Sequence, residues 1–421
     1  MADKFIYKCI DCGKEYSGKK TMYLCPDCAS KNTANMPPEG VLKVIYDYDG
    51  IPLVRHNGGT TLNHLFEKKQ IDLLPVKKLK SLPKLRVGNT PLYRIKKLNS
   101  KKLPFRLFLK DDSQNPTFSF KDRASAVVSG FAKEKKIKTI VAASTGNAGS
   151  SLAGICASQN QKAIIMVPES APLAKLTQII MYGAAIIPVK GTYDDAFDLS
   201  IKATEKYGWY NRNTAFNPLT IEGKKTVSFE IYHQIRRSKH LPDRIFVPVG
   251  DGVIISGVYK GLEDMLKLGI INELPTVVAV QAEGSNNLIR NITGNAFNIK
   301  PSNTIADSIS VDIPRNFYMA KQFIEKYNGE YLTVSDNEIL NASKILSENT
   351  GIFAEPAAAA AFAGLLNYMN NGKTEKKSNN VVLLTGSGLK DLKSVQPVIE
   401  IPDAVKPDIN SLENFLNSQK L

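Results

Sequence analysis

Asn115-Pro116-Thr117-Phe118-Ser119-Phe120-Lys121-Asp122-Arg123 places a lysine where a proline-containing turn gives way to a helix start. The positive end of a helix dipole resists ammonium charging, and a neutral amine attacks carbonyls, so Lys121 suits Schiff-base chemistry. A solvated lysine at a helix start is the plainer reading of the same stretch. Other segments must decide between them.

Three further stretches run from an apolar, strand-like segment through a small-residue turn. Ser144-Thr145-Gly146-Asn147-Ala148-Gly149 offers hydroxyls and backbone amides suited to a carboxylate or phosphate at a helix N-terminus, and Asn147 can bond a planar ligand. The alternative there is a helix cap. Gly250-Asp251-Gly252-Val253-Ile254 lines up amides able to hold a phosphate ester without a basic side chain, although such glycine pairs also mark tight strand-to-helix connections. Thr385, ahead of Gly386-Ser387-Gly388, sets a neutral hydroxyl where a pyridine nitrogen would sit; the alternative is a cap for the final helix. A neutral partner moderates the electron sink and suits elimination or replacement at a side chain. Together these stretches read as a cradle for pyridoxal 5'-phosphate carried on Lys121.

A separate chemistry stands at the N-terminus. Cys9-Ile10-Asp11-Cys12 and Cys25-Pro26-Asp27-Cys28 form two knuckles with a hairpin-sized insert, the spacing of a structural zinc site with four thiolates and no open position. Thiols folding without metal are the alternative, and no thioredoxin-like context supports a redox pair. The fifth cysteine, Cys156, falls in an apolar helix and reads as core.

The elements that must position these residues alternate. Thr139 to Ala143, Ala163 to Val167, Ala185 to Val189, Arg244 to Val249, Thr276 to Gln281 and Val381 to Leu384 read as strands. Helical patterns lie between them, among them Asp194 to Tyr207, Ile221 to Arg237, Gly257 to Leu268 and Pro356 to Met369. That order predicts an α/β protein with two three-layer α/β/α domains, mostly parallel sheets, and ligands at the carboxyl ends of strands. The expected divisions are a zinc-ribbon-like module over 1–35, a lead-in with part of the large domain over 36–111, a small α/β domain over 112–220, and a large α/β domain with a C-terminal tail over 221–421. A helix is expected around Leu62 to Lys69.

The 421 residues carry 55 Lys+Arg against 40 Asp+Glu, a net charge of +15. The basic residues come in short runs without aromatic interleaving, which predicts a solvated surface rather than a nucleic-acid partner. With neither a membrane-length apolar run nor a secretory leader, a cytoplasmic protein without membrane partners is expected.

Carried by Gly88-Asn89-Thr90-Pro91-Leu92, the Lys121 motif, Ser144 to Gly149, Ile221-Glu222-Gly223-Lys224-Lys225-Thr226, Ala354-Glu355-Pro356-Ala357 and Thr385 to Asp391, the chain resembles the threonine synthases. More widely it resembles the fold-type II, tryptophan-synthase β-like, pyridoxal-phosphate enzymes. The resemblance implies that Lys121 binds the cofactor covalently and shuttles protons, that Asn147 bonds the ring oxygen, and that Thr385 faces the ring nitrogen. It also implies that the amides of Gly250, Asp251, Gly252, Val253 and Ile254 hold the cofactor phosphate, that Ser144, Thr145, Asn147 and Ala148 receive the substrate carboxylate, and that the protein is a homodimer. The implied reaction turns O-phosphohomoserine and water into threonine and phosphate.

Three departures from the pattern stand out. Phe118 replaces the usual glycine, Val253-Ile254 replace a glycine-asparagine pair, and Ala215 and Thr220 stand where a serine and an arginine often hold the substrate phosphate. Lys224, Lys225 and Arg212 are the candidate replacements. The alternative is a lyase of the threonine or serine dehydratase kind, or a β/γ-replacement enzyme, acting on another amino acid, phosphorylated or not. A retired enzyme serving as a binding protein would leave Lys121 idle.

Overall fold

The computed structural model describes residues 3–33, 35–51, 71–236, 241–294 and 296–419, so the helix expected around Leu62 to Lys69 lies outside the described residues. Strands β1 (Phe5–Cys9), β2 (Glu15–Ser17) and β3 (Leu42–Tyr46) form an antiparallel sheet in the order β2-β1-β3. Strand β3 falls in the stretch read as lead-in, yet it pairs with β1 from Phe5–Tyr46 to Cys9–Leu42. The short hairpin β1-β2 leaves one edge of β1 open, and β3 closes it.

The chain next lays down β4 (Leu92–Leu98) and β5 (Lys101–Asp111), then leaves to build β6 (Thr139–Ala143), β7 (Lys162–Pro168), β8 (Ala185–Val189) and β9 (Tyr210–Asn211). These four make a parallel sheet in the order β8-β7-β6-β9. It returns with β10 (Arg244–Pro248), β11 (Thr276–Ala282), β12 (Glu330–Val334) and β13 (Asn379–Leu384). The second sheet runs β12-β11-β10-β13-β5-β4, parallel except for β4. Its central strands are buried on both faces, which is why they read as unbroken apolar runs such as Val277-Val278-Ala279-Val280. Among the described residues no helix is long and apolar enough to cross a membrane.

The single helix expected over Ile221 to Arg237 is two, Leu219–Lys224 and Thr226–Arg236. Gly223 explains the tight packing there: a β-carbon on it would collide with the Arg123 carbonyl, so helix Leu219–Lys224 rests directly on the backbone of helix Lys121–Glu134. The expected helix from Gly257 begins earlier, at Val253, because the glycine turn ends sooner than its composition suggests. Strands β4 and β12 were not expected. Each is an edge strand with few buried positions, one in β4 and one in β12, so neither shows an apolar run.

A buried ionic lattice ties the start of helix Lys121–Glu134 to the larger sheet. Arg123 donates to Asp112 at 2.6 Å and to Glu230 at 2.6 and 2.7 Å, and Lys110 donates to Glu230 at 2.7 Å. The Asn89 amide and the Thr90 hydroxyl complete it, on Glu230 and Asp112 respectively. Burial alone would raise the Glu230 carboxyl, but Arg123 and Lys110 hold it far below the ordinary carboxylate range. Glu230→Ala, which takes the shared carboxylate from both buried cations, is expected to cost about 3–5 kcal/mol in denaturant unfolding. Glu15→Ala, which removes the exposed Lys8–Glu15 pair, is expected to cost at most ~1 kcal/mol. Equal costs would contradict the assignment.

Candidate active site

Lys121 opens its helix at the floor of a cleft of about 540 Å³ between the two parallel sheets. The turn presenting it is stitched to the loop after β13. The Phe120 amide donates to the Thr385 carbonyl at 2.8 Å, and the Ser387 amide donates to the Phe118 carbonyl at 3.1 Å. Asp122 fixes the other side by accepting from the Thr117 amide at 2.7 Å and the Thr117 hydroxyl at 2.5 Å. Phe118 pays for its place with φ of +67°, a left-handed conformation costing about 1–2 kcal/mol outside glycine.

Burial lowers the Lys121 ammonium pKa; Glu355 and Asp251 oppose the shift, and Arg212 adds to it. The amine is thereby biased toward its neutral, nucleophilic form.

Ser144, Thr145, Asn147 and Ala148 line the same cleft, at the end of β6 and the start of helix Asn147–Gln159. The Asn147 amide nitrogen donates to both Glu355 oxygens, at 3.0 and 2.9 Å, and to Ser308 at 3.1 Å. Asp251 also lines the cleft, while Gly250, Gly252, Val253 and Ile254 are buried behind it at the N-terminus of helix Val253–Lys267. Thr385 is buried at the end of β13 beside the lysine turn.

Three participants were given no role by the sequence motifs. Glu355 is 3 % exposed, and a β-carbon on Gly386 would run into its carboxylate, which accounts for the glycine after Thr385. Ser308 lies within reach of both Asn147 and Glu355. Arg315 pairs with Asp194 and lies 4.1 Å over the Phe197 ring, clasping one rim of the cleft across the two sheets. The Ala354-Glu355-Pro356-Ala357 string flags Glu355 but gives no hint of its partner.

Of the three cations named as candidates for the missing arginine's place, Lys225 is spent elsewhere. It bonds Glu222 at 2.5 Å and Asp264 at 2.7 Å and lies 4.1 Å over the Tyr46 ring. Arg212 lines the cleft and bonds the Thr214 hydroxyl at 2.7 Å. Burial lowers its pKa to about 10.

A reactive lysine at the carboxyl ends of two parallel sheets, faced by a glycine loop at a helix start, defines a pyridoxal-phosphate site. The residues fit that group: a side chain at Gly250 would press on Ile309 at 2.9 Å and Gly252 has φ of +84°, so both positions of the turn at the start of helix Val253–Lys267 call for glycine. At Gly146, which lines the same cleft as Lys121, a β-carbon would meet nothing within 4 Å. The family model described as pyridoxal-phosphate dependent enzyme matches residues 84–386, and the fold neighbours agree. Processed threonine deaminase isoform 2 from Solanum lycopersicum superposes with a TM-score of 0.65 at 22% identity, covering 83% of this chain and 92% of that one. Serine racemase from Dictyostelium discoideum superposes at 0.62 and 24%, covering 77% and 97%.

Within that class the chain belongs to the threonine synthase family. It is 35% identical to the threonine synthase of Methanocaldococcus jannaschii over 415 residues, 98% of this chain and 99% of that protein. It is also 35% identical to that of Methanosarcina acetivorans over 413 residues, 97% and 98%.

The position of Glu355 carries a pH prediction. Burial raises its pKa above the unfolded value of 4.5, with Asn147, Lys121 and Lys390 opposing. A carboxyl raised in the folded state subtracts stability as pH climbs from the unfolded pKa through the folded one. Glu355→Gln should therefore gain stability relative to the parent between pH 4.5 and neutrality, by about 1.4 kcal/mol per unit of displacement. An offset that does not change with pH in urea unfolding would contradict this.

Proposed function

We propose that this protein is a pyridoxal-phosphate-dependent threonine synthase, converting O-phosphohomoserine and water to threonine and inorganic phosphate. The observation that carries the reading is Lys121 at the floor of a cleft shared with Ser144 to Ala148 and Asp251, in a chain similar along nearly its whole length to threonine synthases.

Bound on Lys121, with Gly250 to Ile254 at its phosphate and Thr385 at its ring nitrogen, pyridoxal phosphate would supply an electron sink conjugated with the substrate α-carbon. The amides and hydroxyls of Ser144, Thr145, Asn147 and Ala148 receive the substrate carboxylate and orient the α-hydrogen toward Lys121. Once displaced by the substrate amine, the Lys121 Nζ takes the α-proton and then moves a β-proton, and phosphate departs from the γ-carbon with the bonding pair. Water adds its hydroxyl at the β-carbon, and protons return to the α- and γ-carbons to complete threonine. Glu355 holds Asn147 in place, and the Arg315–Asp194 clasp restricts water at the rim.

Phosphate and threonine should appear in equal amounts from O-phosphohomoserine, and Lys121→Ala should abolish both while keeping the fold. A 2-oxo acid and ammonia from threonine or serine, with no phosphate released from O-phosphohomoserine, would favour the dehydratase alternative that Ala215 and Thr220 keep open.

The four N-terminal cysteines would hold structural zinc. Their sulfurs lie within 4.8 Å of one another, with Cys9–Cys28 at 3.8 Å and Cys12–Cys25 at 3.7 Å. A tetrahedron with Zn–S bonds of about 2.3 Å has edges of about 3.8 Å. Metal analysis should find about one zinc per chain, lost in Cys9→Ser/Cys28→Ser; its absence from protein purified without chelator would contradict the assignment. A cytoplasmic homodimer completes the reading, with exposed Leu173, Met181, Leu389 and Ile401 as apolar surface available to a second copy.

A further inference from the structure

Lys224 ends helix Leu219–Lys224 with none of its surface exposed, and its Nζ has no hydrogen-bond partner among the described residues. An unpaired ammonium in a protein interior costs several kcal/mol. Its neighbour Lys225, equally buried, is satisfied by Glu222 and Asp264. The charges acting on Lys224 are Lys121 and Arg212, both repelling it, and Asp251.

Among the described residues Arg212 has no carboxylate partner either. Its guanidinium bonds the Thr214 hydroxyl at 2.7 Å, the Ser125 hydroxyl at 3.2 Å and the Lys121 carbonyl at 3.5 Å. The interior beside Lys121 thus gathers cations that protein groups do not neutralise, the arrangement an anion would complete.

Position narrows the anion. A β-carbon on Gly257 would meet the Lys224 β-carbon at 2.7 Å, so Lys224 packs against the early turns of helix Val253–Lys267, just past the Gly250 to Ile254 loop. Asp251 in that loop would repel a phosphate, and a nearby cation offsets the repulsion. Helical side chains also lean toward the helix N-terminus, which directs Lys224 back over Thr220, one turn earlier. Thr220 itself offers no charge, and its hydroxyl is committed to the Asn217 carbonyl at 2.8 Å.

We propose that Lys224, buried next to the cleft with Arg212, is the receptor for a phosphate monoester dianion bound there, an inference that rests on reading the site as a pyridoxal-phosphate enzyme. Two dianions of that chemistry belong to the reaction, the cofactor 5'-phosphate and the substrate ester.

The test compares the parent with Lys224→Met, Lys224→Gln and Lys224→Arg, each stripped of cofactor. Absorbance titration gives the affinity for pyridoxal phosphate and for pyridoxal, which lacks the phosphate; in the same proteins reloaded with pyridoxal phosphate, inorganic phosphate is titrated as a competitor of O-phosphohomoserine. The Met and Gln variants should bind one dianion at least about tenfold more weakly, ~1.4 kcal/mol, and Lys224→Arg should restore it. Weakening of pyridoxal phosphate but not of pyridoxal assigns Lys224 to the cofactor. Unchanged cofactor affinity with a raised phosphate inhibition constant assigns it to the substrate. Lys224→Met should also melt higher than the parent when both are cofactor-free, because a buried amine without a hydrogen-bond partner is gone. Unaltered affinity for both dianions in a folded Met or Gln variant overturns the proposal. Pyridoxal still absorbing as a Lys121 adduct in that variant would leave the underlying reading intact, whereas a parent protein that takes up neither aldehyde would defeat that reading instead.

Discussion

The Lys121 turn depends on a charge lattice it does not itself join. Arg123, two residues on, is anchored between Asp112 at the end of β5 and Glu230 in helix Thr226–Arg236, and Lys110 shares the same glutamate. A lattice of this kind is worth little more than apolar packing would be, but leaving any one member unpaired is expensive. A turn shifted by one residue would leave Arg123 without its partners. The reactive amine is therefore held at one depth and one direction, on the side of the turn opposite the ions.

The N-terminal module extends this constraint to the other wall. Tyr46 at the end of β3 donates to Glu222 at 2.7 Å, Tyr48 donates to Asp264 at 2.6 Å, and Lys225 bridges the two carboxylates. Tyr23 stacks on Phe216 at 4.6 Å, and its hydroxyl accepts from the Asn211 amide at 2.9 Å. Helix Leu219–Lys224 is thus gripped by the cysteine-bearing module on one face and by helix Lys121–Glu134 on the other. The segment that bears Ala215, Thr220 and Lys224 has little freedom to adjust, so substrate preference there is set by which side chains stand in it.

Much of this was legible in the sequence for a specific physical reason. Strands buried on both faces announce themselves as apolar runs, and β6, β10 and β13 each deliver a small-residue loop whose chemistry depends on backbone amides and nearby hydroxyls. Asn147, Asp251 and Thr385 could be named from local pattern because each belongs to such a loop, and Lys121 because it follows the Asn115-Pro116-Thr117 turn. Glu355 and Ser308 could not: their meaning is a contact with Asn147 made across 208 and 161 residues of chain. Arg315 clasps Asp194 from 121 residues away. The broken helix at Lys225 was hidden likewise, since the reason for the break, Gly223 lying on the Arg123 backbone, is a tertiary contact. The exposed edge strands β4 and β12 lacked the apolar signal altogether.

The cysteine knuckles were the opposite case, since spacing alone brings four sulfurs together. The substitutions at 118, 215 and 220 were visible as letters but not as consequences. Phe118 and Ala215 both have φ of +67°, so the backbone keeps a shape that favours glycine while the side chains have changed. The chemistry survives such changes because it rests on Lys121 and on amides.

The central claim is that the Lys121 amine is the covalent anchor of pyridoxal phosphate. Borohydride reduction of the purified, cofactor-loaded protein, followed by proteolysis and mass spectrometry, tests it most directly. The pyridoxyl group should be found on the peptide spanning Ser119 to Arg123, at residue 121 and nowhere else in stoichiometric amount. A reduced adduct on Lys224, Lys225 or a surface lysine, with Lys121 unmodified, would contradict the account.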